Sequence, residues 1–439
     1  MKKLLTAMAM VGVATIALAD MPKFDVSGEI RVRWEEKNNE NDFLDTDANG
    51  LNDDKVSRVR TGVRIGLDAE LSDGIGAHIS LQHGDGGWGE LGRTGKGGNE
   101  NIWNSNTENT GQNLLDNTWI RHAYFTIDDI GGILDLSVGR QAWGKQDHEL
   151  VLFVDELDAK VAKAELGNLS LTGFCGKVNE TGENADTDTD IQGLTASLDF
   201  PLGADLVAYG FRQILRRSNP DNADKNNVVG VKVSGSMDVA STIKYLVEYA
   251  KQTGSNTVAG GGTGQDRDAN ALRVCVGYET DVEGLGVLSI EGSYLKASGD
   301  DENTADKNER FTGIAPNLDY YNKLVEEGGS SPFENDLLDG ANGIKVINLN
   351  ATLAPEAMEN LNLGISYTTF TSDQKNANGN DDLGSELDIS IEYIYSDAAT
   401  ITFVYARFTP GDVQDDAIGA EVNNDDNATM LRCQILTRF

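Results

Sequence analysis

Arg58, Arg60 and Arg64 stand at alternate positions of one short segment, with Asp68 and Glu70 continuing the same alternation. The intervening positions, Val59, Thr61, Val63, Ile65, Leu67, Ala69 and Leu71, are mostly apolar. A period of two puts the arginines and the carboxylates on one face of a strand. Guanidinium groups bind carboxylates bidentately, so a row of them can orient an acidic solute. No dry core accepts such a face and no hydrocarbon does; a water-filled lumen accepts it.

The same pattern returns elsewhere. Glu29, Arg31, Arg33 and Glu35 alternate with Ile30, Val32 and Trp34, and Glu386, Asp388 and Glu392 alternate with Leu387, Ile389, Ile391 and Tyr393. The final segment alternates Arg432, Gln434 and Arg438 with Leu431, Cys433 and Ile435, and Phe439 closes the sequence. If the last strand pairs with the first, Arg432 and Arg438 join Arg31, Arg33, Arg58, Arg60 and Arg64 in a basic wall. Arg212, Lys232, Lys244 and Arg273 are expected to add positive charge elsewhere in the lumen. Asp158, Glu248, Glu279, Glu291, Glu386, Asp388 and Glu392 are expected to face the basic wall. Opposed charges across a pore bias ion and solute selectivity.

These side chains need strands to carry them. Period-two reading gives about eighteen strands, with spans running from 24–36 and 56–71 to 398–408 and 428–439. Short turn-rich connections such as Ser72-Asp73-Gly74 and Pro201-Leu202-Gly203 alternate with long polar ones at 37–55, 84–116, 142–156, 178–189, 216–226, 252–269, 297–342, 372–382 and 409–427. Strict alternation of short and long connections predicts one antiparallel transmembrane barrel with short periplasmic turns and long extracellular loops. Aromatics at strand ends, including Phe24, Trp34, Trp143, Phe200, Tyr278, Tyr395 and Phe439, fit interfacial girdles. Loop 84–116 or loop 297–342 is expected to fold into the pore, because loops beyond ~15 residues are usually functional or disordered and both hold large aromatics.

The remaining composition agrees. Met1-Lys2-Lys3, an apolar run to Leu18 and Ala17-Leu18-Ala19 read as a signal peptide at 1–19, leaving 20–439 as one barrel domain. No later run reaches the ~20 apolar residues of a membrane helix. Hydrophobic content is 39%, with 49 glycines and 7 prolines, which suits a wide barrel without a packed core. A net charge of -35 argues against nucleic acid or polyanionic membrane partners for the outer surface. Cys175, Cys275 and Cys433 are odd in number and far apart, and read as free thiols. His78 and His83 flank a strand end and read as solvated surface groups.

Asp45, Asp47 and Asn49 open a loop of the EF-hand kind, but Val56 stands where the closing Glu belongs. Asp186-Thr-Asp188-Thr-Asp190 is a second acidic run; such runs more often are solvated loops, calcium in the extracellular loops is the ion they could hold, and no other cofactor is expected. No GxSxG, HExxH, P-loop or CxxC motif is present, so no enzyme is expected.

Arg121-His-Ala-Tyr-Phe-Thr-Ile followed by Leu136-Ser-Val-Gly-Arg140-Gln141 resembles the alginate-export family of outer-membrane porins. So does Glu386-Leu-Asp-Ile-Ser-Ile-Glu-Tyr followed by Tyr405-Ala-Arg-Phe-Thr-Pro-Gly411-Asp412, and Asn348 is similar in placement. The resemblance implies an eighteen-stranded monomeric barrel in the bacterial outer membrane, with arginines in the lumen and loops folded into the pore. The expected function is passive diffusion of small hydrophilic or acidic solutes, selective by lumen charge. Export of an anionic polysaccharide such as alginate is the first alternative, and a non-conducting structural or adhesive surface barrel is the second. Expected partners are outer-membrane lipid, the solutes, and the barrel assembly machinery acting on the C-terminal strand.

Overall fold

The computed structural model describes residues 23–39, 55–84, 118–143, 150–152, 154–179, 189–200, 203–215, 224–238, 241–256, 264–301, 304, 306–314, 323–324, 342–413 and 427–439. The signal-peptide segment, the candidate calcium residues Asp45, Asp47 and Asn49, and loop 84–116 beyond Gly84 lie outside the described residues.

The strands are β1 (Lys23–Asn38), β2 (Val56–Ser72), β3 (Ile75–Gly84), β4 (Thr118–Ile130), β5 (Leu134–Trp143), β6 (Val154–Leu166), β7 (Leu169–Asn179), β8 (Thr189–Phe200), β9 (Ala204–Leu215) and β10 (Asp224–Asp238). They continue with β11 (Thr242–Asn256), β12 (Gln265–Val282), β13 (Gly286–Ala297), β14 (Lys307–Asn308), β15 (Ile344–Pro355), β16 (Leu361–Ser372), β17 (Asp382–Ser396), β18 (Ala399–Pro410) and β19 (Ala428–Arg438). Each long strand pairs antiparallel with its neighbours in sequence, and β19 pairs with β1. The sheet is thus a closed barrel of 18 antiparallel strands. The two-residue β14 stands apart. It adds in parallel to the loop end of β12 through Asp266 and Arg267.

Closure satisfies every strand edge, the condition for crossing hydrocarbon without a helix. At the seam, Gly28 and Phe439 exchange backbone hydrogen bonds of 2.8 and 3.0 Å. The Phe439 ring lies over Gly28, where a Cβ would fall inside the ring. Glycine is required there by close approach, not by backbone angle.

The alternation sorts the two faces. Val26, Val59, Leu194, Val229, Val276, Ile347, Ile389 and Phe403 are exposed, and their strand neighbours point inward. Phe24, Phe200, Tyr278, Tyr395 and Phe439 form an exposed aromatic fringe toward the short-turn end. Trp143 does not join it. Its ring packs against Phe174 at 4.2 Å, on the inner face.

The expectation of a coreless barrel is overturned. Leu150, Val151, Leu152, Leu157, Phe174, Ile191, Tyr209, Phe211, Phe311, Leu324, Phe370 and Phe408 belong to one buried apolar cluster. Long connections fold back and cover part of the inner wall, so a packed core forms where water was expected. Such packing is dense enough to hold a loop in one position.

Candidate functional site in the barrel interior

The interior has two unlike arcs. The first is built by β19, β1 and β2. Arg31, Arg33, Glu35, Lys37, Arg60 and Arg432 are all buried on its inner face, with Arg58 and Arg64 partly so. Register explains the arrangement. Arg33 stands opposite Arg60 and Gln434, Glu35 opposite Arg58 and Arg432, and Glu29 opposite Arg64 and Arg438. Glu35 bonds Arg58 and lies 3.2 Å from Arg60. Arg33 donates to Gln434 at 3.1 Å, Arg64 to Gln82 at 2.7 Å, and Arg438 to Glu29 at 3.0 Å.

The basic wall is therefore interleaved with carboxylates rather than bare. Like charges directly opposite each other would destabilise the ladder, and the intervening Glu35 relieves that. Cations still outnumber carboxylates on this arc, so the local field is positive within a chain of net charge -35. Toward the short-turn mouth the sign reverses. Asp25, Asp68, Glu70 and Asp128 line a recess with His78 and Tyr124. His78 sits 2.6 Å from Asp68 and stacks on Tyr124 at 5.1 Å. It is an inward group, not the solvated surface group expected from the sequence.

Glu386 and Asp388 are also buried and inward. They do not face the basic wall across the pore. β17 is separated from β19 by β18 alone, so both lie on the same side as Arg432. Glu392 takes a hydrogen bond of 3.1 Å from Asn362 nearer the short-turn end. The charges truly opposite the arginine wall are Lys232, Glu248 and Arg273, which occupy directly paired positions on β10, β11 and β12. All three are buried, and Tyr209 donates to Glu248 at 2.7 Å. Asp158 and Arg212, expected in the lumen, point outward. Each is exposed and shares its face with lipid-side neighbours, because a one-residue difference in register exchanges the two faces.

The second arc is apolar and roofed by loops. Inward rings of Trp143, Phe174, Phe211 and Tyr209 follow one another, Tyr209 and Phe211 at 5.2 Å. Gly193 and Gly230 leave room for them, since a Cβ at either would meet these rings. Over this wall lie Leu150, Val151 and Leu152 from the β5–β6 connection, and Phe311 and Ile314 from the β13–β15 connection. The two meet where Ile314 donates its N–H to the Val151 carbonyl at 2.8 Å.

The described residues of the β13–β15 connection are latched at several points. Gln252 on the inner face of β11 accepts the Thr312 N–H at 3.0 Å and donates to Thr312 and Gly313. Asn226 on β10 donates to the Gly313 carbonyl at 2.7 Å. Further along, the N–H groups of Lys323 and Leu324 both donate to Glu386, at 2.8 and 2.7 Å. Glu386 is thus a loop anchor rather than an open charge on the pore wall. At the rim, Asp373 receives Lys296 and Lys345, each at 3.1 Å, and the Gly299 N–H at 3.2 Å. Burial opposes charge on Asp373, but the Lys345, Gly299 and Lys296 hydrogen bonds outweigh it and hold the carboxyl below its usual range.

Sequence reasoning passed over two parts of this roof. Leu150-Val151-Leu152 sits in a connection read as polar, although three apolar residues in a row were a visible signal. Gln252 and Asn226 carried none, because uncharged amides at inward positions look the same whether they face water or a loop. Among the described residues no cluster of His, Cys, Asp or Glu is arranged to hold a metal ion.

Residues 211–427 match the alginate export family. The resemblance read from the sequence is borne out over that part of the chain. No curated protein sequence matches significantly. Among solved structures, Pseudomonas aeruginosa OpdQ superimposes with a TM-score of 0.57 at 11% identity, covering 95% of this chain and 98% of that one. Pseudomonas aeruginosa OccK8 (OprE) gives 0.57 at 13%, with the same coverages. Pseudomonas aeruginosa OpdK, in a crystal structure with vanillate, gives 0.56 at 12%, covering 94% and 98%. At such identities the likeness is one of fold.

Proposed function

We propose that this barrel is a channel of the bacterial outer membrane that passes small hydrophilic solutes by diffusion and selects them by charge. The observation that carries the reading is the pairing of an arginine-rich arc with an infolded roof. The roof narrows the bore and brings solutes within reach of Arg31, Arg33, Arg60 and Arg432. A low-dielectric wall strengthens charges close to the path relative to distant loop charges. Acidic small molecules are the favoured cargo class, because guanidinium forks bind carboxylates geometrically. Vanillate, found with OpdK, is such a carboxylate.

The test is single-channel recording in planar bilayers with reversal potentials in salt gradients. Discrete conductance steps with charge selectivity support the reading, and a silent bilayer with correctly folded protein overturns it in favour of a structural barrel. A second reading, export of an anionic polysaccharide, is favoured by the match to the alginate export family over residues 211–427. Oligouronate added to one side separates the two. Block at low concentration supports a polyanion path, and unaltered current supports the small-solute channel. The C-terminal strand, with Phe439 seated at the seam, is the handle we assign to the barrel assembly machinery, and outer-membrane lipid is the surrounding solvent. This is transport, not catalysis.

A further inference from the structure

The outer face of the barrel is apolar over most of its girth, but one stretch is not. Phe125, Val138, Lys160, Cys175, Gln192 and Arg212 are successive register partners across β4 to β9 and share one face. Phe125 and Val138 are exposed members of the lipid-side surface, so Lys160 and Arg212 point toward lipid as well. The outward row above it holds Arg140, Asp158, Lys177, Asp190 and, on β10, Lys225. Arg140 and Asp158 neutralise each other through hydrogen bonds of 3.0 and 2.9 Å. Taken together the two rows carry five cations against two carboxylates, a positive surplus on a strongly acidic chain.

Height matters. Arg212 stands about eight residues above Ala204 at the short-turn end of β9. At ~3.3 Å per residue and a tilt near ~40°, that is roughly 20 Å up an apolar band ~25 Å tall. Below the row, Leu194 and Val229 are exposed and apolar. Lys160, Cys175, Lys177, Gln192 and Arg212 border an outer recess of about 610 Å³. The order from below is therefore apolar surface, then a recess whose lining carries Lys160, Lys177 and Arg212 together with Asp158 and Asp190. An amphiphile with acyl chains and an anionic head needs that same order, whereas a soluble protein partner has no use for the apolar rows beneath.

We propose that this outward row is a binding site for the phosphate of an anionic lipid headgroup in the outer leaflet. Lys160 and Arg212 hold the phosphate, Gln192 and Lys177 flank it, and the acyl chains lie along Leu194 and Val229. Basic side chains at a membrane surface attract anionic lipid. The proposal rests on the barrel being membrane-embedded, but not on its conducting.

The test uses the full chain purified in a non-ionic detergent. Short-chain phosphatidic acid, phosphatidylcholine of equal chain length and inorganic phosphate are titrated separately by calorimetry. Saturable binding of phosphatidic acid is expected, weakened roughly tenfold in the Lys160→Gln/Arg212→Gln variant. Arg407→Gln, an outward cation on β18, should leave it unchanged. Equal affinity in the double variant, or equal binding of phosphatidylcholine, overturns the site. Inorganic phosphate binding as tightly as phosphatidic acid makes it a free-anion site and overturns the lipid assignment. Bilayer conductance of the double variant should equal that of the parent, because neither residue lines the lumen. A parent that fails to conduct counts against the channel reading and leaves the binding result standing.

Discussion

The arc of β19, β1 and β2 and the arc of β7 to β12 are made of the same kind of strand, yet they hold their shapes by different means. On the first, guanidinium and carboxylate groups interleave by register. On the second, aromatic rings over glycines meet a roof of Leu150–Leu152 and Phe311. The charged wall buries its groups and offsets their desolvation by pairing, Glu35 with Arg58 and Arg60 and Arg33 with Gln434. A roofed wall removes water and relies on burial, at about 25 cal/mol per Å² of apolar surface. One barrel can therefore tune selectivity on one side while setting its bore on the other.

The largest test of this division is removal of the roof. Replacing 300–313 by a short Gly-Ser connection should raise single-channel conductance several-fold, with the strands intact by circular dichroism. Unaltered conductance would mean that the roof lies outside the conducting path. Next comes Phe311→Ala. Truncating a buried Phe typically costs ~3–5 kcal/mol, so the roof should open for part of the time. Added current noise and protease cleavage within the segment are the readouts, and silence in both would show that Phe311 does not hold it.

The charged arc is probed by Arg58→Ser/Arg60→Ser/Arg64→Ser. At ~1 M salt the Debye length falls to ~3 Å, and only charges beside the path count. The triple variant should then favour cations more than the parent does, and an unchanged reversal potential would remove these arginines from the path. The smallest effect belongs to Asp373. Its carboxyl is held below the ordinary value of 3.8, so its contribution to roof anchoring is complete above that value. The contribution is lost as pH falls through the lower folded value. Conductance noise should therefore appear only in strong acid, and Asp373→Asn should bring it to neutral pH.

Strands and facing were legible in the sequence because period two is a strong signal wherever one face meets lipid. The segment Arg58 to Leu71 fixed its own orientation, and β1 and β17 did likewise. Strand ends at the loop side were less legible. β12 begins at Gln265, earlier than the alternation suggests, because Asp266 pairs with the loop and not with a hydrophobic neighbour. Asp158 and Arg212 are misassigned for a related reason: in these strands both faces hold apolar groups, Leu157 beside Asp158 and Phe211 beside Arg212, so a charge does not reveal its face. The arginine arc was legible once closure was assumed, while its interleaved register was not, since pairing across 400 residues leaves no local trace. The roof was half legible. Its length and aromatics announced it, but Gln252, Asn226 and Glu386 as anchors required the partner atoms.

The seam between β1 and β19 also sets the order in which this protein can be completed. Thr437 meets Ile30 and Phe439 meets Gly28, contacts of nearly the greatest sequence separation the chain permits. Topologies dominated by distant pairings form slowly, because chain entropy must be spent before they stabilise anything. Until the final strand arrives, β1 and β18 each present a bare edge, the kind of surface that recruits another chain. A polypeptide interrupted before Ala428 would keep both edges for good, and its fate would be adhesion to other chains or proteolysis. A ring seated on a glycine thus works as a completeness check. Gly28→Val, which denies Phe439 its seat, should yield full-length chains that accumulate unclosed.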